Sequence, residues 1–285
     1  MAERLLTPSK ITAWLDCAHF LTLRHEVDSG VREPAPNMFG EMAEMLLQKG
    51  LDHEQAVLEQ YREAGRDVFV VPDREKHESF AQWVARAGDV LGRGHEVVFQ
   101  MPFIHDGIRG IADFLERVVD KDGNVTYEPV DAKLARNAAK PGHVLQLCFY
   151  AEAIAAQTGH LPEYVHIELG SGVRDTVRVN DVLAYWRRLR GQLARLVDEP
   201  PAEATTPEPC DHCGFCEFEL VCDSEWRAAD SLVHVAGVRR ADRALLQTAD
   251  VDTIAGLAAL ESEVDEVDAN RLARMVRQAT LQVEA

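Results

Sequence analysis

The sequence predicts an α/β domain followed by a helical appendage. Two observations carry this reading. Helical and strand patterns alternate up to about residue 198, with a strong hairpin signal in the middle, whereas residues 226–285 read as helical throughout with no strand pattern. A third feature, a cysteine cluster after a Pro-rich linker at 199–209, stands between the two regions. The expected division is therefore 1–225 for the main domain and 226–285 for the tail.

The elements follow in order. Residues 8–26 read as one helix, with Trp14, Cys17 and Phe20–Leu21 recurring on one side. A Pro-rich loop at 31–38 precedes a long helix at 39–64, ended by Ala64-Gly65, and a further helix at 73–91. EVVFQMPFI at 96–104 reads as a strand. Strands at 108–119 and 125–133 flank the turn Asp120-Lys121-Asp122-Gly123-Asn124. A helix at 141–157, strands at 163–170 and 174–179, and a helix at 181–198 complete the domain.

The 285 residues suffice for one large domain with an appendage, or two modest ones, and 46% hydrophobic content supports a real core. No run of eighteen apolar residues occurs, and the opening MAERLLTPSK lacks the apolar stretch of a signal peptide. The expected setting is cytoplasmic, without a membrane. A net charge of −18 argues against a protein that coats nucleic acid non-specifically, but not against an enzyme gripping a strand along one narrow basic groove. Basic islands exist at Lys133, Arg136 and Lys140, at Arg187, Arg188 and Arg190, and at Arg239, Arg240 and Arg243; each reads equally well as a solvated face.

Cys17 stands alone near the start, and Cys213-x2-Cys216-x5-Cys222 follows much later. Three thiolates so close together need a fourth ligand to complete a tetrahedral site, which Cys17 can supply. In a chain without a secretion signal such a cluster reads as metal binding rather than disulfides. Thiolate ligation suits an iron–sulfur cluster or zinc. Zinc sites usually show two paired knuckles, and the single pair here favours a [4Fe–4S] cluster, with zinc as the alternative and unligated thiols as the plain reading.

The hairpin brings carboxylates together. With the turn centred on Asp122, Asp113 falls opposite Asp131, where Cβ atoms lie about 4.5–5.5 Å apart. Lys133, two residues on, faces the same way. Ile111, Ala112, Phe114, Val118 and Val130 make the surroundings apolar, so two facing carboxylates repel unless a cation sits between them. Mg²⁺ or Mn²⁺ suits such oxygen ligands. The competing reading is an Asp–Lys–Asp salt bridge at a sheet edge. On the following helix Gln146 and Tyr150 share a face, as candidates to reach phosphate oxygens or as half-buried packing. His53 recurs with Leu46, Gly50 and Val57 on the inward face of the long helix, as a core histidine or a metal ligand.

Taken together, His53, Gly110-Ile111-Ala112-Asp113-Phe114, Asp131-Ala132-Lys133, Gln146-x3-Tyr150 and the four cysteines resemble the PD-(D/E)XK nuclease superfamily over residues 8–225. The likeness is to its RecB-like branch with an iron–sulfur cluster, similar to CRISPR-adaptation exonucleases and AddB nuclease domains. The resemblance implies a restriction-endonuclease-like α/β core with a mixed central sheet flanked by helices. It implies that Asp113 and Asp131 bind Mg²⁺ or Mn²⁺, with the Ala132 carbonyl and His53 completing the shell. Lys133 would orient the attacking water, Gln146 and Tyr150 would position the strand, and Cys17, Cys213, Cys216 and Cys222 would hold the cluster as a staple. Cys210 has no counterpart in that pattern, and Cys148 reads as a buried small hydrophobe.

In the tail, Val235-Ala236-Gly237-Val238-Arg239-Arg240 resembles half of a helix-hairpin-helix, in which amides around a glycine turn contact DNA phosphates. Arg239 stands where a second glycine is often found. The expected function is a metal-dependent deoxyribonuclease acting on single strands or ends, its partners being DNA and further domains or subunits of a helicase–nuclease or CRISPR-type complex. A non-cleaving binding module and a zinc-stapled scaffold are the rivals.

Overall fold

The computed structural model describes residues 7–35, 41–120, 122–135, 137–198 and 205–284. Lys121 of the hairpin turn, Arg136 of one basic island, and parts of the 31–38 loop and the 199–209 linker lie outside them. The chain forms two compact units, one of Met1–His25 with Phe39–Ala204, the other of Glu26–Met38 with Thr205–Ala285. The cysteine segment therefore groups with the tail rather than with the sheet, unlike the division expected at 225/226.

The first unit holds a six-stranded sheet in sequential order: β1 (Val68–Val70), β2 (Val97–His105), β3 (Ile108–Val119), β4 (Val125–Lys133), β5 (Tyr164–Leu169) and β6 (Arg174–Arg178). β1–β2 and β4–β5 pair parallel and the other neighbours antiparallel, so the sheet is mixed as expected. Helices α1 (Pro8–Asp16), α3 (Glu41–Glu63), α4 (Phe80–Ala87), α5 (Pro141–Thr158) and α6 (Val179–Asp198) accompany it, with α2 (His19–Asp28) as far as His25. The β3–β4 turn is tied by Asp120, whose Oδ1 accepts from the amides of Asp122 (2.9 Å) and Asn124 (2.8 Å).

Each face of the sheet has its own core. Val57, Leu58 and Tyr61 of α3 pack with Val97, Phe99, Phe114 and Val130. On the other side α5, apolar nearly all round, joins Val98, Met101, Leu115, Tyr127 and Ile167 in the larger core, closed by Trp83 and Trp186. α5 is the crossover between parallel strands β4 and β5, which need such a connection.

Three elements differ from expectation. The helix at 8–26 is two helices, because Cys17 adopts an extended backbone (φ −148°, ψ 107°) while its amide closes the last turn of α1 on Ala13 O. The helix at 73–91 begins only at Phe80: Ser79 Oγ accepts from the Gln82 amide (3.2 Å) and Gln82 Oε1 from the Ser79 amide (2.8 Å), a capping box that sets the start. A single 3₁₀ turn, Val90–Arg93, follows. β1, three residues long, had no strand expectation.

The second unit contains α7 (Glu219–Ala228), α8 (Arg240–Thr248), α9 (Ile254–Ala258) and α10 (Ala269–Val283) around Leu232, Leu246, Leu257, Met275 and Ala279. Among the described residues it departs from an all-helical reading by an isolated bridge between Ser231 and Thr253.

Candidate active site

The β3–β4 ladder runs from Val119↔Val125 to Phe114↔Val130 and then stops. Asp113 and Asp131 are the next residues on each strand, so the expected register holds up to their doorstep and the carboxylates stand where the strands part. The Ala132 amide no longer bonds β3 backbone but donates to Asp113 Oδ2 at 3.0 Å. Lys133 Nζ donates to Asp131 Oδ1 at 2.7 Å. Both strands lie inside the sheet rather than at its edge, which counts against a simple edge salt bridge.

Asp131 is 1% exposed, and its second oxygen, Oδ2, is buried without a hydrogen-bond partner. A carboxylate oxygen left so is costly unless a further group satisfies it. Burial raises the Asp113 pKa well above the usual carboxylate range; the neighbouring Asp131 charge raises it further, and Lys133 opposes both. Burial would lower the Lys133 pKa, but the charges of Asp131 and Asp113 more than offset it, so the ammonium is held.

Sequence reading missed a third carboxylate. Glu54, one residue beyond His53 on α3, has its pKa raised by burial and feels the charges of Lys133 and Asp131. Gln100 Nε2 of β2 donates to Glu54 Oε1. His53 itself meets β5, with Nε2 3.0 Å from Glu168 O. Adjacent residues on a helix point about 100° apart, and only the position of the sheet decides which one faces the carboxylates.

From α5, Tyr150 donates to Ile111 O of β3 at 2.5 Å, and Gln146 acts on the phenol by partly opposing the rise of its pKa. Burial raises the Tyr150 pKa, which keeps the phenol a donor. Tyr150 thus anchors the strand that carries Asp113. Gly110 permits the approach, since a Cβ there would lie 2.8 Å from the Tyr150 hydroxyl and 2.9 Å from Phe149 Cε1. His143, whose pKa burial and then Lys133 lower, also senses the site electrostatically.

The buried, orphaned oxygen of Asp131 and the half-buried Asp113 carboxyl, which resists ionisation, fit a divalent cation with oxygen ligands. Among the described residues no three His, Cys, Asp or Glu side chains stand as a finished coordination shell.

A family model described as the PD-(D/E)XK nuclease superfamily matches residues 6–223. The chain belongs to the PD-(D/E)XK nuclease superfamily. Its members are generally nucleases that use divalent metals such as Mg²⁺ or Mn²⁺, and the mixed six-stranded sheet flanked by helices fits that family's fold. No curated protein matches the chain.

The remaining expected residues lie elsewhere. Cys17 belongs to the first unit, and Cys213, Cys216 and Cys222 to the second. Cys210, unassigned by the resemblance, has its Sγ 3.8 Å from Cys213 Sγ, and its amide donates to that sulfur at 3.3 Å. Cys148 is fully buried, with its thiol pKa pushed up to about 12 by burial. In the tail, Gly237 has the left-handed φ of +84° that its turn requires. The Arg239 amide already donates to Asp242 Oδ2 at 2.8 Å, and Asp242 Oδ1 is held by Arg271 Nε at 2.7 Å. Arg240 is largely exposed, 4.0 Å from Glu208. No helix of the described residues is long and apolar enough to cross a membrane.

Proposed function

We propose that this protein is a metal-dependent deoxyribonuclease that hydrolyses phosphodiester bonds in single strands or at strand ends. The buried, unpartnered Oδ2 of Asp131 beside the reluctant carboxyl of Asp113 supports the reading most directly. Asp113 and Asp131 would hold the cation, with the Ala132 carbonyl as a further oxygen and His53 as the ligand the resemblance implies. When bound, Mg²⁺ or Mn²⁺ lowers the pKa of water and neutralises phosphoryl oxygens.

The chain's own groups supply the rest. Lys133, kept charged by Asp131 and Asp113, offers a fixed cation to charge developing on phosphorus, and a preoriented charge in a dry site is worth more than one in water. Its bond to Asp131 fixes its direction. Tyr150 holds β3, so that Asp113 keeps its place as substrate binds, and Gln146 beside it would help position the strand. Nothing in simple binding requires a lysine beside the carboxylates, which favours cleavage over a non-cleaving module.

A [4Fe–4S] staple stays within the proposal on the strength of the Cys17 and Cys213-x2-Cys216-x5-Cys222 spacing alone, with zinc as its alternative. DNA as the ligand, a cytoplasmic setting, and further domains or subunits of a helicase–nuclease or CRISPR-type complex complete the reading.

The test is cleavage of end-labelled single-stranded and duplex DNA with Mn²⁺ or Mg²⁺, comparing wild type with Asp131→Ala. Metal-dependent cutting that disappears in the variant, with its circular dichroism unchanged, is the expected result. Iron and sulfide are assayed on the same protein. Absence of cutting by folded wild type would transfer the site to the binding-module reading.

A further inference from the structure

Gln100 is a non-glycine residue with φ +59° in the middle of β2. The ladder with β3 keeps one register on both sides of it, Phe99↔Phe114 and Met101↔Ala112, so no residue is inserted. The faces nevertheless change. Val97 and Phe99 pack with α3, whereas Met101 and Phe103 belong to the opposite core. Residues two apart in a regular strand share a face, so the switch occurs at Gln100.

β3 switches at the partnered point. Ala112 lies in the larger core and Phe114 in the α3 core, with Asp113 between them. The common register places Gln100 opposite Asp113. Left-handed backbone is unfavourable for a long side chain, and glycine would make the same kink without strain. The side chain itself must then have a use, and its amide donates to Glu54. Strain of this kind gathers at functional sites.

We propose that Gln100 is a positioning residue of the nuclease centre: its left-handed backbone turns its amide out of the alternation of β2 and onto Glu54, holding that carboxylate toward Asp113 and Lys133. The inference rests on the nuclease reading and adds to it a residue outside the motifs. The Gln100 amide donates from its nitrogen and so leaves the other Glu54 oxygen open for a cation or a metal-bound water.

Gln100→Gly removes the amide and relieves the backbone, and Gln100→Met removes the donor at similar length. Both are made in the full chain and compared with wild type by thermal melting, calorimetric titration with Mn²⁺, and cleavage as a function of Mn²⁺ concentration. Gln100→Gly is expected to melt no lower than wild type yet bind Mn²⁺ about 10–100-fold more weakly, the range seen when groups behind metal ligands are removed. Gln100→Met is expected to show the same weakening, with the apparent KM for Mn²⁺ rising more than kcat falls. Adding Glu54→Gln to Gln100→Gly should cost little more than either change alone. Wild-type Mn²⁺ affinity in both variants, or additive effects in the double variant, would overturn the inference while leaving the nuclease reading intact. A wild type that neither binds Mn²⁺ nor cuts would overturn the nuclease reading, and this inference with it.

Discussion

On the proposed function, the half-buried Asp113 would serve activity at the expense of stability. Its carboxyl resists ionisation because burial and the Asp131 charge both act against it. A folded-state pKa above the unfolded value means that the protonated form costs nothing, while stability is lost as pH rises through the folded value. Asp113→Asn should therefore raise the melting temperature of metal-free protein at neutral pH, because Asn keeps an oxygen for the Ala132 amide and carries no charge. A gain of about 1 kcal/mol would appear as roughly 2–4 °C. The same variant should lose about 10²–10³-fold in cleavage, the scale of removing one preorganised electrostatic group. Acidification should weaken Mn²⁺ binding by wild type already above the ordinary carboxylate range, since the raised Asp113 and Glu54 must give up protons to bind. Calorimetric titration across pH checks the sign: affinity that stayed flat down to the normal aspartate range would refute this account of Asp113.

At the scale of elements, the site depends on how β3 is pinned against α5. The Tyr150 hydroxyl reaches Ile111 O only because Gly110 has no side chain. Gly110→Ala would force the Tyr150 and Phe149 rings to shift, and overpacking of this sort costs about 1–3 kcal/mol. The expected outcome is a lower denaturation midpoint with cleavage reduced more than Tyr150→Phe reduces it, because the latter loses one hydrogen bond and no space. Equal midpoints for Gly110→Ala and wild type would show that the contact yields easily. Much of this arrangement was legible in the sequence. Alternation and a turn rich in Asp, Gly and Asn place β3 and β4, and the hairpin's symmetry then brings Asp113 toward Asp131. What was illegible has physical reasons. The three residues of β1 are too few for a period, and the break at Cys17 interrupts an apolar pattern that continues across it. Gln100 reads as an ordinary polar position in a strand, because a left-handed backbone at a non-glycine residue leaves no mark in composition. Glu54 was hidden by its neighbour His53, the residue that family motifs favour.

At the scale of the whole molecule, the chemistry and the tail rest on separate cores. The carboxylates sit over the sheet and its two apolar faces, whereas Leu246, Leu257 and Ala279, each fully buried, centre a core built only from residues 232–279. The Asp242–Arg271 pair joins α8 to α10 within that second unit, and Asp230 Oδ2 accepts from the Ala255 amide at 2.9 Å. A core that closes on itself should melt on its own. Leu246→Ala removes a side chain with no exposed surface and should cost about 2–5 kcal/mol, all of it in the second unit. Scanning calorimetry of wild type should show two transitions, of which the variant moves one. Cleavage of a short single strand is then measured at a temperature between the displaced transition and the unmoved one. Retained cutting there would place the nuclease activity in the first unit alone, and the tail's contribution would appear only as weaker binding to longer DNA. If both transitions moved together, or cutting ceased with the tail's unfolding, the sheet would need the second unit to stand, and the tail would be part of the enzyme rather than an appendage to it.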